Sequence, residues 1–377
     1  DGTSLGADDG IAVAISLYLI QQKIQHGPLR LIFTVDEETN MTGALSLSAD
    51  HVKDAKYVIN CDSESIHVIC VASAGSCHME STRDLHRCAP KGDTALTVRA
   101  HALAGGHSGE VINEGRGNAI KAVADILYRL SEGGVKYALA DYKGGVAANA
   151  IPSDALAVIV VAAKDVDRVK ATVVAAEKDF NLVYGETDPN AVFEVTPADL
   201  PKSVLSAEDT TSIVDVINLL HCGVFAMDRR LPRLPALSAS LGTIETREDV
   251  LAFQYFPRSS SDARLQALVR VMPIMAKCTG TKVHIEKPFP AWTESKNSKL
   301  QALMAAAYKD VMGKEPRMEA MHGGLETGFL YAMNPDLDIV SVGPETHDIH
   351  SADERVELDT VAQLVQVIAG TLERLTK

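Results

Sequence analysis

Leu31-Ile32-Phe33-Thr34-Val35-Asp36-Glu37-Glu38 sets a short apolar, β-prone run directly ahead of three consecutive carboxylates. Upstream, Ile11 to Ile24 keeps apolar residues at helical spacing (Ile11, Ala14, Ile15, Tyr18, Leu19) until Gly27-Pro28 stops it. Downstream, a helix is predicted around Gly43 to Leu47 and a second β-rich run at Tyr57 to Asn60. Strand, helix, strand in that rhythm predicts a mostly parallel α/β sheet flanked by helices. The same texture returns near the other end. Ser298 to Met312, Leu325 to Tyr331 and Thr360 to Leu375 read as helices, and Leu337 to Val342 as a buried strand.

Between these pieces the spacing changes. Asp93 to Ala102, Asn118 to Leu130, Val135 to Tyr142, Ala155 to Ala163 and Val166 to Phe180 read as strand, helix, strand, strand, helix. Ala191 to Thr196, Thr210 to Leu220, Pro235 to Gly242, Val250 to Phe256, Ser260 to Cys278 and Thr281 to Glu286 extend the pattern. The expected organisation is α/β, with a catalytic domain at 1–92 and 289–377. An inserted α+β lid at 93–288 interrupts it, divided into similar split β-α-β halves at 93–186 and 187–288.

Composition narrows the function. Against 50 Asp+Glu the 377 residues carry 36 Lys+Arg, a formal charge of −14, which argues against a nucleic-acid or anionic-membrane binder. At 46% hydrophobic and 23% charged the chain is ordinary globular material, long enough for two or three domains. The longest apolar run, Ala155 to Ala163, falls far short of the ~20 residues needed for a bilayer span. Cys61, Cys70, Cys77, Cys88, Cys222 and Cys278 contain no C-x-x-C pair, which fits a reducing, cytoplasmic setting.

Chemistry is expected where acidic and imidazole groups follow strands, because side chains beyond a strand's carboxyl end line the crevice of an open α/β sheet. Asp36-Glu37-Glu38 follows one run, Asp62 a second, and His350 a third through Gly343-Pro344. Asp8 and Asp9 stand at the start of the first helix, Asp9 read as its N-cap and Asp8 free to point elsewhere. A triplet of carboxylates taken alone is more readily a solvated turn. Several carboxylates converging on one crevice would repel each other unless a cation neutralised them, and two divalent ions, zinc, manganese or cobalt, would do so. Successive side chains on an extended segment alternate faces, so Glu37 and Glu38 are expected to take different tasks, one binding metal and one moving a proton.

The inserted region adds Gly105-Gly106-His107-Ser108-Gly109 and Gly115-Arg116-Gly117. These are either ordinary turns with a surface His107 or a loop that supports a developing oxyanion. Asn149 and Arg258 are further polar candidates, Arg258 as a carboxylate clamp or a surface arginine. No G-x-x-x-x-G-K-[ST], H-E-x-x-H or G-x-S-x-G pattern is present.

Taken in order, several motifs resemble one family. They are Leu5 to Ile11, Phe33 to Glu38 with Met41 to Ala44, Asn60 to Glu64, Gly105 to Gly109, Gly115 to Ala119, His322-Gly323-Gly324-Leu325-Glu326, and Gly343-Pro344 with His350 to Glu354. Together they are similar to the aminoacyl-histidine (Xaa-His) dipeptidases of the dinuclear-zinc clan that includes peptidase T, peptidase V and carboxypeptidase G. The resemblance implies hydrolysis of Xaa-His and related dipeptides by a zinc-activated hydroxide, with Glu37 as general base. It implies Asp8 as the bridging ligand, Glu38 and His350 on one ion and Asp62 on the other. His107 would stabilise the tetrahedral intermediate, and Arg258, Asn149, Gly324 and Glu326 would hold the substrate. A small peptide is the implied partner, with a homodimer as a further expectation. N-acyl amino-acid amidohydrolases and aminotripeptidases share such a site and are the rival activities.

The clan's upstream H-x-D is absent: no histidine here has Asp two residues on. With Asp1-Gly2-Thr3-Ser4-Leu5-Gly6 already approaching a helix, a start inside the catalytic domain is expected. An inactive peptide-binding or scaffolding relative is the alternative.

Overall fold

A computed structural model describes residues 2–229, 231 and 234–376. The chain divides into two compact units, Asp1–Gly75 with Phe289–Lys377, and Ser76–Pro288. Among the described residues no helix is long and apolar enough to cross a membrane.

The first unit is built on a four-stranded sheet in the order Tyr57–Asn60, Asp338–Ser341, Val68–Ser73, Arg317–Met321. The first pair and the last pair are parallel, and Asp338–Ser341 meets Val68–Ser73 antiparallel. Alternation along the strands serves a core on each face. Ile69, Val71 and Val340 pack with Ile15 and Leu19 of helix Ala7–Leu19, Leu300 and Met304 of Lys299–Met312, and Leu364, Val367 and Ile368 of Leu358–Leu375. Cys70 and Ile339 face the other way, against Val52, Trp292, Leu325 and Leu337. The amphipathic spacing of the three helices is thus used as the sequence implies.

One predicted strand does not form. Leu31 to Val35 runs without strand pairing, and Leu31, Ile32, Phe33 and Val35 are exposed at 38%, 36%, 50% and 70%. Its residues have the β-prone composition, but a strand exists only through a neighbour's N–H and C=O groups, and no described strand lies alongside. Val68–Ser73 and Arg317–Met321, not singled out from sequence, complete the sheet instead.

The second unit folds round one long sheet. Val192–Ala198, Thr94–His101, Ala155–Val161 and Tyr137–Gly144 are neighbours on one side. Pro235–Thr246, Val250–Ser259, Met79–Asp84 and Lys282–Ile285 continue it on the other. The two groups meet where Pro235–Thr246 pairs with Tyr137–Gly144 at Ile244 and Glu245. Two strands join across sequence distance: Val192–Ala198 pairs with Thr94–His101, and Met79–Asp84 with Val250–Ser259. The single helix predicted over Ser260 to Cys278 is two, Asp262–Val269 and Met272–Thr279, with Pro273 in the first turn of the second. Proline lacks the N–H that would continue the preceding helix.

A buried ion pair ties this unit together. Asp209, fully buried, accepts from Arg83 Nε and Nη2 at 2.9 and 2.7 Å, from His86 N at 2.6 Å and from Ser206 Oγ at 2.9 Å. Burial opposes ionisation, but the His86 N–H, Arg83 and Ser206 outweigh it and hold the carboxyl below the usual range. Asp209→Ala leaves the Arg83 guanidinium buried and unpaired. A loss of about 3–5 kcal/mol is expected in denaturant unfolding.

Candidate metal centre

Strands Tyr57–Asn60 and Asp338–Ser341 run parallel, so the segments leaving them emerge at the same edge of the sheet. Asn60 Oδ1 accepts from the Asp62 N–H at 3.2 Å and from Ser341 Oγ at 2.6 Å, fixing the backbone that carries Asp62. Gly343 leaves no choice of residue: an added Cβ would lie 1.4 Å from the Ser63 carbonyl oxygen.

His350 sits past this point in a loop closed by the antiparallel pair Thr346–His347 and Arg355–Val356. It holds a left-handed backbone, φ 59°, as do Asp348 (51°), Asp36 (61°) and Met41 (51°). Non-glycine residues adopt this region at a cost of ~1–3 kcal/mol, and such positions concentrate at functional sites. His350 Nε2 lies 2.9 Å from Glu38 Oε2 and 3.3 Å from Asp8 Oδ2. Asp8, Glu38 and His350 offer donor atoms all within 4.8 Å of one another, the one group of three such donors among the described residues.

Asp8 and Asp9 are joined by a cis peptide and have non-helical backbone inside Ala7–Leu19. The N-cap role expected of Asp9 is not found: Gly6 occupies that position in a left-handed conformation with no side-chain cap. The free N–H groups are met from elsewhere. Glu354 Oε1 accepts from Ala7 N and Asp8 N at 2.8 and 3.1 Å, and Oε2 from Gly6 N at 2.8 Å. Burial would raise the Glu354 carboxyl, but these N–H groups hold it below its ordinary range.

Glu37 and Glu38 do separate, by a different mechanism from the one expected. They open a short helix, Glu37–Asn40, and do not lie on extended chain. The helical step turns one side chain about 100° from the next. Glu38 joins Asp8 and His350, whereas Glu37 is pushed up to about 7 by burial and then by Glu38, Glu326, Asp8 and Asp9. Asp62 is driven well above its usual value by burial, by Glu37, Asp9 and Asp8, and by a hydrogen bond with Asp8. Glu38, Asp9 and Glu326 rise as well, each with burial as the main cause. Glu326 is oriented by Thr34 Oγ1, which donates to its two oxygens at 2.7 and 2.8 Å. Gly324 lies near the Ala74 carbonyl and Met41, its built Cβ position 3.9 Å from each.

The remaining candidates form a separate cluster inside the second unit. Gly106–His107 pairs with Ala150–Ile151, and the Ser108 N–H donates to the Asn149 carbonyl at 2.8 Å, so Asn149 reaches the loop through its backbone. Gly106 has φ 121°, outside the range of other residues. Arg258 is 5% exposed, 4.8 Å over the Phe256 ring, with Nη2 3.3 Å from His107 Nε2. Its Nε is buried without a hydrogen-bond partner, and burial pushes the guanidinium down to about 10.

Three residues escaped the sequence reading of this chemistry. Glu354 braces Asp8, and Thr34 orients Glu326. Asp188, 1% exposed, accepts from Ala104 N and Gly117 N at 2.7 and 2.8 Å, pinning both ends of the His107 loop. Thr34 and Glu354 lie inside motifs quoted above, but nothing in their residue type or spacing marks these contacts.

Residues 4–374 match peptidase family M20/M25/M40. The chain is 30% identical over 376 residues to the cytosol non-specific dipeptidase of Escherichia coli (strain K12), covering 99% of this chain and 77% of that protein. It superposes on the crystal structure of aminoacylhistidine dipeptidase from Vibrio alginolyticus with a TM-score of 0.91 at 28% identity, covering 99% of this chain and 76% of that one. Aminopeptidase PepT from Bacillus cereus ATCC 10987 shares the fold at 15% identity, with a TM-score of 0.50 over 99% of this chain and 72% of its own. On the match across nearly its whole length, the chain belongs to peptidase family M20/M25/M40.

Proposed function

We propose that the chain is a metallo-dipeptidase that hydrolyses Xaa-His and related dipeptides. The observation that carries this reading is the convergence of Asp8, Glu38 and His350 donor atoms beside a carboxyl, Glu37, held near neutrality. Carboxylates and one imidazole suit a divalent ion, and Asp62 and Glu38, raised first by burial and then by neighbouring carboxylates, are groups whose ionised forms such an ion would favour. Asp8, Glu38 and His350 would hold one ion, and Asp62 with the shared Asp8 would hold a second, zinc being our assignment. A divalent ion bound there polarises the scissile carbonyl and acidifies water.

The protein's own groups do the rest. Glu37 takes a proton from the attacking water and delivers it to the leaving amine, a task suited to a carboxyl near neutral pH. Glu326 and Gly324 are proposed to border the substrate. Within the second unit, Arg258 has a buried Nε donor without a hydrogen-bond partner and lies over the Phe256 ring, which suits it to a carboxylate, and His107 beside it is our candidate for an oxyanion. A cytoplasmic setting belongs to the same proposal, in keeping with the Escherichia coli relative's name.

A substrate panel tests it. With zinc supplied, Xaa-His and other dipeptides should be cleaved at least about tenfold better in kcat/KM than N-acetyl amino acids. Amidating the dipeptide's carboxylate should cost about 10–100-fold, the worth of a hydrogen bond to a charged group. Preference for N-acetyl amino acids would assign an amidohydrolase instead, and indifference to amidation would remove Arg258 from substrate binding.

A further inference from the structure

We propose that Glu354 is a positioning residue for the metal centre, aligning Asp8 with His350 through the Gly6, Ala7 and Asp8 backbone N–H groups. The proposal rests on the metal-centre reading above and adds to it the device that sets the spacing of its ligands. Asp8 and His350 are carried by segments 342 positions apart in the chain, and among the described residues no strand pairing joins the two. Asp8 lies on non-helical backbone, outside the regular turns that follow it, so helix geometry does not fix its side chain. What does hold that stretch is Glu354, buried at 9% exposure and receiving three backbone N–H groups in succession.

The other end of the brace is firm. The loop from Asp348 to Glu354 is closed at its base by Thr346–His347 pairing with Arg355–Val356, and by an Arg355–Asp348 ion pair at 2.5 Å. Inside it, Ser351 Oγ donates to the Asp348 carbonyl at 2.6 Å and accepts from Asp353 N at 3.1 Å. His350 and Glu354 therefore leave one tight loop, the first toward Asp8 Oδ2 and the second to the Asp8 backbone. A carboxylate with two acceptor oxygens can serve three converging N–H donors. An amide can offer only one oxygen and sets its NH₂ against a donor.

Zinc affinity, measured by competition with a chromophoric chelator on the whole chain, tests this without recourse to turnover. Groups that orient metal ligands typically change affinity by about 10–100-fold when removed. Glu354→Ala is expected to weaken zinc binding by about that factor, and Glu354→Gln by less, while the metal-stripped Gln variant keeps a near wild-type melting temperature. Cobalt(II) loaded into the Gln variant should show shifted visible bands, which a residue serving stability alone would not cause. If Glu354→Ala does not fold, the Gln variant decides. Binding within twofold of wild type, with unshifted cobalt bands, overturns the role of Glu354 alone. A wild-type chain that binds no zinc overturns the metal-centre reading and this proposal with it.

Discussion

Replacing Glu37 by Gln should lower kcat for dipeptides by about 10²–10⁴-fold, the contribution of a positioned general base, while zinc content stays at the wild-type level. The separation of these two readouts follows from the site. Glu38, not Glu37, faces His350 and Asp8, so an amide in place of the Glu37 carboxyl removes no member of the donor group. Glu37 is instead raised to about 7 by its own burial and then by the charges of Glu38, Glu326, Asp8 and Asp9. Bound cations would favour its ionised form, leaving it a base at neutral pH that can still return a proton to the amine. The substitution keeps shape and hydrogen bonding, so KM should change little. Glu38→Gln is the contrasting variant: zinc binding should weaken together with turnover. A Glu37→Gln protein that retains most of its kcat, or that loses its zinc, would remove Glu37 from the proton-transfer role.

The parts of this molecule that could be read from sequence are those whose cause is local. The Thr360 to Leu375 spacing forms helix Leu358–Leu375 because its apolar stripe, Leu364, Val367 and Ile368, needs only a face to cover. That Asp8, Glu38 and His350 gather was legible because carboxylates and an imidazole at the ends of predicted elements are costly to bring together without a cation. Leu31 to Val35 was misread because strand formation depends on a neighbour, and composition says nothing of which segment lies alongside. Glu354 and Asp188 were missed for a related reason. Each acts by accepting backbone N–H groups 346–348 and 71–84 positions away, and backbone donors leave no mark in a sequence.

Removing the metal should make stability depend on pH in a direction fixed by the site. Glu37 is raised to about 7 from 4.5 in the folded chain, and Asp62, Glu38, Glu326 and Asp9 shift upward too. Between an unfolded carboxyl's ordinary value and these higher ones the folded state holds protons the unfolded state has released, so stability falls as pH rises through that window. The lowered carboxyls, Asp209, Asp154 and Glu354, act in the opposite sense, losing their contribution only as the solution falls through their own more acidic values. From about pH 5 to pH 8 the first group therefore governs, and the chelator-treated chain should melt at progressively lower temperature. Zinc should reverse the trend most strongly at the alkaline end, where the carboxylates are ionised. At a hundredfold excess over its dissociation constant an ion adds about 2.7 kcal/mol. Asp8→Asn and His350→Ala test whether that gain comes through the assigned ligands. Each should raise the zinc concentration needed for the same shift in melting temperature by at least about tenfold, and Asp8→Asn should also flatten the pH dependence of the metal-free chain by taking one charge from beside Glu37 and Asp62. A metal-free melting temperature that is level or rises from pH 5 to pH 8 would show that these carboxyls do not share one crowded site, and zinc stabilisation unchanged in both variants would place the ion elsewhere.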